Sequence, residues 1–254
     1  MKFGICTSVD NLKLLEKTGY DYIELPLNHV ATIPAEDFEK ICGEVDASSL
    51  KAERFSLLYP KTMALIGPRV ASIAEQEDYL HTAYSRARRL GGEVVVFGSG
   101  KSRMVPDGFS FSQGFQQLVQ VTSLAGKLAG EYGIRVAIEP LNRKECNIIH
   151  TVMEGALLQG AVGMASVGVL ADYFHMYQEQ EPMENILTVD ALLHTHIATG
   201  ADRLYPCSPT EDIISFFSAL KQKGYDGSMS IEGKTQDMTQ DAPRALEVLR
   251  SLAG

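Results

Sequence analysis

Eight short apolar segments alternate along this chain with longer segments of helical periodicity, and this alternation constrains the fold more than any other feature. The segment Val94–Phe97 (VVVF) is apolar on both faces, as strands buried in a parallel sheet are. Helical segments end at glycines such as Gly19, Gly133 and Gly224, and glycine is the residue that most favours helix ends. The connections are short, so the pattern predicts a parallel sheet covered by helices.

The chain has 254 residues, a length typical of α/β barrels. Eight strand–helix repeats predict closure into a (β/α)8 TIM barrel that forms a single domain over residues 1–254. The alternative is an open doubly wound sheet, which usually has fewer strands and a GxGxxG motif after the first one, and that motif is absent here. The predicted strands are Phe3–Cys6, Tyr22–Leu25, Arg54–Leu58, Val94–Phe97, Val136–Glu139, Gly168–Ala171, Leu193–Ile197 and Ser228–Ile231.

Charge and cysteine usage exclude several classes of protein. The net charge is −9 and the sequence contains no Lys/Arg-rich run, whereas a nucleic-acid-binding protein normally has a basic face. These features argue against a nucleic-acid partner. No run of 18 apolar residues exists, and the N-terminal segment reaches Asp10 without a long apolar core, so we expect neither a membrane span nor a secretory signal. The four cysteines form no CxxC pair. These features predict a cytoplasmic protein.

The segment Val136–Glu145 (VAIEPLNRKE) contains the first residue that calls for a chemical explanation. Its period-two apolar residues predict a strand, and Pro140 prevents that strand from continuing. Glu139 is then the last residue of a buried strand, where an unpaired carboxylate is costly. A divalent cation is its simplest partner.

Barrel enzymes carry their active sites at the carboxyl ends of the strands. The ends of predicted strands five to eight carry, in order, Glu139, Asp172, His196 and Glu232. Four polar residues at four consecutive strand ends are difficult to explain as separate ion pairs. Three carboxylates and one imidazole suit Mn²⁺, Mg²⁺ or Co²⁺, whereas Zn²⁺ usually takes more nitrogen or sulfur ligands. We therefore predict one divalent metal ion, with Mn²⁺ preferred.

Other polar residues have structural interpretations. His194 faces inward by alternation, one layer below His196. It is an alternative metal ligand, but because it lies deeper in the barrel we interpret it as a supporting or packed core histidine. Glu24 lies at the end of the second strand; a structural ion pair is the preferred interpretation, and a contact with the pocket is the alternative. Three further histidines have no polar cluster around them and are expected on the surface or in loops: His29, His81 and His150.

The turn Gly98–Ser102 (GSGKS) is similar to a phosphate-binding loop, but Val95 occupies the position where GxxxxGK[ST] requires glycine. We therefore interpret it as an ordinary strand-to-helix turn. A contact of Lys101 or Arg103 with phosphate or substrate is kept as a weaker alternative, because binding residues often lie in such loops.

The motifs together resemble the xylose isomerase-like superfamily of sugar phosphate isomerases and epimerases, most closely its ketose 3-epimerase and hydroxypyruvate isomerase branches. The matching segments are EPLNRKE at 139–145, DYFHM at 172–176, HIATGADR at 196–203 and SIEGK at 230–234. The resemblance extends over nearly the whole chain. It implies a divalent-metal-dependent isomerase or epimerase of a small ketose or sugar phosphate, in which a proton moves through an enediolate.

The resemblance also implies roles for individual residues. The metal ligands would be Glu139, Asp172, His196 and Glu232. The catalytic acid/base pair would be Glu139 and Glu232, and the substrate-binding residues would be Glu145, His175 and Arg203.

The loop after the seventh strand departs from the pattern of this superfamily. Thr199 and Gly200 occupy positions where an acid is frequent, Arg203 is one residue farther from His196 than expected, and Cys207 replaces a usual glycine. These differences bear on the substrate, since this loop shapes the substrate pocket, and they leave the four predicted ligands intact.

Other functions on the same scaffold remain as alternatives. A lyase could dehydrate a cyclic polyol or keto acid, such as an inosose or dehydroshikimate, after the same proton abstraction. A metal-dependent endonuclease is disfavoured because only six histidines are present and the net charge is −9. A non-catalytic sugar-binding module is a further alternative. The substrate can be a phosphorylated or a free sugar. The acidic composition disfavours a phosphate group, whereas three basic residues in loops of the top face favour one: Lys101, Arg103 and Lys234. Barrels of this kind often associate, as homodimers or homotetramers.

Overall fold

Eight parallel strands follow one another around a closed barrel, and the last strand pairs with the first. The computed structural model describes residues 1–254. In chain order the strands β1 to β8 are Lys2–Cys6, Tyr22–Pro26, Arg54–Ser56, Val94–Phe97, Arg135–Ile138, Val167–Asp172, Leu192–Ile197 and Ser228–Ile231. All eight strand predictions are confirmed within two residues at either end, and the (β/α)8 barrel is confirmed against the open sheet.

Helices cover the outside of the barrel. The ten α-helices, α1 to α10, are Leu12–Thr18, Leu27–Thr32, Ala35–Asp46, Ile73–Arg89, Gly100–Arg103, Phe111–Glu131, Val152–Val162, Tyr173–Gln178, Glu211–Gln222 and Met238–Ala253. Two short 3₁₀ helices are Val9–Asn11 and Met183–Thr188. The sequence also predicts a helix over Met183–Val189, and the structure confirms it as the 3₁₀ helix that follows Pro182. None of these helices combines the length and the apolar composition that a membrane-spanning helix requires.

Side-chain caps define where the long helices begin. Ser72 and Glu75 form a reciprocal capping box at the start of α4. Thr210 is the N-cap of α9, and its side chain accepts a hydrogen bond from the backbone N–H of Ile213. These caps satisfy backbone donors that have no partner within the helix.

The apolar core lies mainly between the barrel and the helices, where 62 buried residues form one cluster. A separate cluster of four apolar residues from β4, β5 and β6 fills one side of the barrel interior: Val94, Val96, Ala137 and Leu170. The other side of the interior is polar, with buried side chains from β2, β3, β7 and β8. The barrel is thus a packed structure with one polar half, and that half lies beneath the site described below.

We expect Gly4→Ala to destabilise the barrel by about 1–3 kcal/mol or more, because overpacking of a filled interior forces its neighbours to move. A Cβ atom at Gly4 would lie 2.3 Å from Cε2 of the buried Tyr22, whose hydroxyl is hydrogen-bonded to Ser230 at 2.8 Å. Gly43→Ala on α3 is the matched control, since nothing lies within 4 Å of its new methyl group. Urea unfolding followed by circular dichroism compares the two, and equal stabilities would contradict the interior packing.

Candidate active site

The structure brings the four predicted ligands together at the carboxyl ends of β5 to β8. Asp172 is the last residue of β6 and His196 lies in β7, while Glu139 and Glu232 directly follow β5 and β8. One ligand atom from each residue lies within 4.8 Å of the corresponding atoms of the other three. Glu139 therefore follows its strand by one residue and does not end it as predicted, which leaves its placement at the rim unchanged.

The electrostatics of this acidic cluster call for a cation. Burial raises the pKa of Asp172 to about 6, and the charge of Glu232 adds to the effect. Burial and Glu232 also raise the pKa of Glu139. The buried Oδ2 atom of Asp172 has no hydrogen-bond partner. An orphaned carboxylate oxygen among two further carboxylates and an imidazole fits a hard divalent ion, so the residues present match the predicted metal chemistry.

His196 is held in place by Glu24, whose carboxylate reaches across the barrel from β2. The Nε2 atom of His196 lies 3.1 Å from Oε1 of Glu24, and its Nδ1 atom lies 3.2 Å from Oε1 of Glu139. Burial acts to lower the pKa of His196, but the Glu24 carboxylate outweighs it and holds that pKa well above its usual value. One ring nitrogen therefore donates to Glu24, and the other faces the acidic cluster, where either a proton or a metal ion can meet it.

His194 shares the same carboxylate from below. Its Nε2 atom lies 2.9 Å from Oε2 of Glu24, and its Nδ1 atom lies 2.8 Å from the hydroxyl of Ser228. Burial lowers the pKa of His194, while the Glu24 carboxylate acts to raise it. Its Nδ1 atom also lies 2.9 Å from the backbone carbonyl oxygen of Ser228, and the Ser228 hydroxyl accepts a hydrogen bond from Nε of Arg54 at 2.8 Å. The predicted supporting role of His194 thus takes the form of a chain of hydrogen bonds.

His175 faces the cluster as a neutral hydrogen-bond donor. Its Nδ1 atom accepts from the backbone N–H of Asn142 at 3.2 Å and from the side-chain amide of Asn142 at 2.8 Å. The proton of the imidazole must therefore lie on Nε2, and burial lowers the pKa of His175, which keeps the ring neutral. Nε2 has no hydrogen-bond partner and lies 3.5 Å from Oδ2 of Asp172. It is available to a ligand oxygen.

Arg203 lies at the rim in spite of its shifted position in the sequence. Its guanidinium group donates to Glu232 at 2.5 Å and to Glu145 at 3.0 Å, and it stacks on the ring of Phe174 at 4.6 Å. Arg203 itself has a φ of 55°, a left-handed conformation that reverses the chain at this point. All three residues predicted to bind substrate, Glu145, His175 and Arg203, thus surround the acidic cluster.

The unusual residues of the seventh loop have local structural explanations. Thr199 closes the loop, since its hydroxyl and its backbone N–H pair with the N–H and carbonyl of Leu204. Gly200 is required because a Cβ atom there would lie 2.3 Å from the ring of Tyr177. Cys207 is half-buried and its thiol lies 3.6 Å from the carbonyl of Asp241.

The structure corrects the interpretation of the basic loop residues. Arg103 is fully buried, and its guanidinium group donates to the carbonyl oxygens of Phe97 and Glu139 at 2.7 Å and 2.5 Å. It therefore clamps the ends of β4 and β5 and cannot contact a phosphate. Lys234 is exposed and lies after β8, where its backbone pairs with Leu204. Lys101 alone among the three lines a cavity on the top face.

Sequence reasoning missed two contributors to the site and gave a third only as an alternative. Glu24 was expected chiefly in a structural ion pair, with a contact to the pocket as the alternative, and it lies within β2, where it pairs with His194 and His196. Asn142, which sets the tautomer of His175, lies within the quoted EPLNRKE segment. Cys6, at the end of β1, places its thiol 3.9 Å from Nε2 of His196. An inspection of all eight strand ends, instead of the last four, would have found Cys6.

The fold and the polar residues at its carboxyl rim define a barrel enzyme. Comparison with known proteins agrees, since the xylose isomerase-like TIM barrel family matches residues 12–252. The chain belongs to this family.

The relatives and structural neighbours have consistent names. A ketose 3-epimerase of Arthrobacter globiformis is 24% identical over 98% of this chain and 84% of its own length. An L-ribulose 3-epimerase of Methylomonas sp. (strain DH-1) is 28% identical over 87% of this chain and 77% of its own length. The crystal structure of D-psicose 3-epimerase in the presence of D-fructose superposes with a TM-score of 0.88 over 100% of both chains, at 20% identity.

We expect Glu24→Gln to weaken Mn²⁺ binding by about 10–100-fold. The carboxylate of Glu24 accepts from both His194 and His196, and in the variant one of these rings would face the amide N–H group of glutamine instead of an oxygen that orients it. Free Mn²⁺ measured by electron paramagnetic resonance gives the affinity. Glu247→Gln on the exposed face of α10 is the matched control. Unchanged affinity together with a lower unfolding temperature would show that Glu24 forms only a structural ion pair.

The raised pKa of Asp172 predicts a loss of stability in the metal-free protein as the pH rises from 3.8 to about 6. Over this range the unfolded chain releases the proton of Asp172 and the folded chain retains it, which destabilises the folded state by up to roughly 3 kcal/mol. Asp172→Asn cannot release this proton. The stability of the variant relative to the natural protein should therefore increase over that range in chelator-treated samples unfolded by urea. A constant difference would contradict the assignment.

Proposed function

We propose that this protein is a divalent-metal-dependent isomerase or epimerase acting on a small ketose or a phosphate ester of one. The observation that carries the proposal is the convergence of Glu139, Asp172, His196 and Glu232 within 4.8 Å at the barrel rim. The names of the relatives, ketose 3-epimerase and L-ribulose 3-epimerase, support the sugar isomerase and epimerase class. The donor set favours Mn²⁺, with Mg²⁺ or Co²⁺ as alternatives and Zn²⁺ less suited.

The two glutamates are placed to serve as the acid/base pair. They come from β5 and β8, the two outer strands of the four that carry the cluster, and His196 on β7 lies between them. The Nδ1 atom of His196 lies 3.2 Å from Glu139 and 3.7 Å from Glu232. A ketose carbon between the carboxylates can therefore present opposite faces to them.

A bound divalent ion would polarise the ketose carbonyl and acidify the proton on the neighbouring hydroxyl-bearing carbon. Burial raises the pKa of Glu139 and so makes its carboxylate a better proton acceptor. One glutamate removes the proton and leaves the substrate as an enediolate. The other returns a proton to the opposite face of the same carbon, which inverts that centre. Return of the proton to the adjacent carbon would complete an isomerisation instead.

The surrounding residues bind and orient the substrate in this proposal. His175 donates a hydrogen bond from Nε2 to a substrate oxygen, because Asn142 occupies its other nitrogen. Arg203 and Glu145 form an ion pair at the rim, at 3.0 Å, and can exchange part of that contact for substrate hydroxyl groups. The stack of Arg203 on Phe174 keeps the guanidinium plane over the site.

We expect the Mn²⁺-loaded protein to exchange a carbon-bound proton of its ketose for deuterium in heavy water. Glu139→Gln and Glu232→Gln should each lower the epimerisation rate by about 100-fold or more, because proton transfer by a positioned side chain typically contributes at least this factor. Proton nuclear magnetic resonance monitors both exchange and product. One of the two variants keeps the glutamate that removes the proton and lacks the glutamate that returns it. This variant should still exchange the substrate proton for deuterium, although it forms little epimer.

Three outcomes separate the alternatives in the same experiment. Exchange at C3 indicates epimerisation, exchange at C1 indicates isomerisation, and new ultraviolet absorbance from a conjugated product indicates a dehydrating lyase. No exchange or turnover with any ketose, phosphorylated or free, would contradict the proposed function. Retained Mn²⁺ and sugar affinity without turnover would instead indicate a binding module.

A further inference from the structure

A cavity of about 770 Å³ adjoins the acidic cluster on the top face of the barrel. Its walls come from the loops and short helices that follow β2, β3, β4 and β5, whereas the acidic cluster lies at the ends of β5 to β8. The two sites therefore occupy complementary halves of the rim and meet at β5. The volume lies in the upper part of the range of about 300–1,000 Å³ typical of ligand pockets, and it exceeds what the reacting part of a ketose requires.

The cavity and the acidic cluster are in direct contact. Gly98 lines the cavity, and a Cβ atom at this position would lie 1.6 Å from Oε2 of Glu139, so only glycine permits the approach. Glu145 lines the cavity as well and is hydrogen-bonded to Arg203, which in turn bonds Glu232. Gly98 and Glu145 therefore lie on the boundary between the two sites, and the cavity is beside any substrate whose reacting carbons lie between the glutamates.

The charges that line the cavity are of opposite sign to those of the cluster. Lys61, Lys101 and Lys144 line it, and Glu145 is its single acidic residue. Lys61 and Lys101 have no carboxylate within 4.0 Å, Lys144 donates to the amide oxygen of Gln178, and Glu145 is already paired with Arg203. Because the chain carries a net charge of −9, this local excess of lysines does not follow from composition.

Further groups in the cavity suit an anionic ligand with a carbon skeleton. The hydroxyl of Thr62 and the backbone N–H groups of Lys61 and Thr62 form no hydrogen bond within the chain and are free to donate. Leu57, with a φ of 55°, presents a partly exposed side chain to the cavity, and Leu141 adds a second apolar contact. The lining thus combines hydrogen-bond donors and positive charge with a limited apolar surface.

We propose that the substrate carries a negatively charged group, a phosphate ester or a carboxylate, at the end remote from the reacting carbons, and that Lys61, Lys101 and Lys144 bind it. This inference rests on the proposed function, since it names the substrate class of the same site. All three lysines are exposed, so their ammonium groups are accessible to an anion that enters the cavity, and their attraction to it depends on ionic strength. The relatives' names do not include such a group.

The test compares neutral and anionic ketoses of the same carbon skeleton on the Mn²⁺-loaded protein. The panel contains the ketopentoses and ketohexoses, their terminal phosphate esters, and the corresponding keto-uronates. Deuterium exchange gives kcat/KM for each compound. We expect at least about a tenfold preference for an anionic member over its neutral counterpart, and this preference should fall with rising salt because the charge interaction is screened. The phosphate and carboxylate arms identify which anion is preferred.

Lysine variants connect the preference to the cavity. Lys61→Met, Lys101→Met and Lys144→Met should each reduce the ratio of kcat/KM for the anionic compound to that for the neutral compound, and the triple variant should abolish the preference. Lys127→Met on the exposed face of α6 is the matched control and should leave the ratio unchanged. Circular dichroism verifies that each variant is folded.

Failure of the inference and failure of the proposed function have different signatures. A neutral ketose that reacts as fast as its anionic counterparts, or a preference that survives the triple substitution, would overturn the anion site and leave the isomerase or epimerase intact. Absence of exchange with every compound would reject the proposed function, and the anion site with it.

Discussion

Mutual repulsion among three carboxylates at the barrel rim is the interaction on which the rest of the structure depends. Glu139 and Asp172 are buried, Glu232 is half-buried, and an oxygen of Asp172 lacks any hydrogen-bond partner. Such a group of acids is unfavourable in a folded protein unless a positive charge joins it. The guanidinium group of Arg203 supplies this charge to Glu232, and His196, whose pKa the Glu24 carboxylate raises, contacts Glu139. A divalent ion at the centre would supply it to all three.

The barrel interior beneath the rim is built to hold this site rigid. Glu24 crosses from β2 to β7 and receives hydrogen bonds from two histidines, and the lower histidine is fixed in turn by Ser228 and Arg54. Burial acts to raise the pKa of Glu24, but the two histidines outweigh it and keep that pKa well below its usual range. A fully satisfied polar network of this kind fixes side-chain orientation, although it contributes less to stability than apolar packing would.

The top face combines an acidic half with a basic half. Carboxylates at the ends of β5 to β8 suit a cation and the polarised end of a sugar, while lysines in the loops after β3, β4 and β5 suit an anion. The overall charge of −9 conceals this division, because net charge describes the whole surface and recognition depends on local fields. Gly98 joins the halves by allowing Glu139 to approach the wall of the cavity.

The sequence by itself determined the barrel and the four residues of the acidic cluster, since the alternation of strands and helices sets the topology and places every strand end at one rim. Contacts across the barrel and within loops were decided only by the tertiary structure. Glu24 meets His196 across 172 residues of chain, and Arg103 turns inward to two carbonyl oxygens although its loop suggested exposure. Period-two alternation predicts on which face of a strand a side chain lies. Which side chains of non-adjacent strands contact each other depends on how the barrel closes.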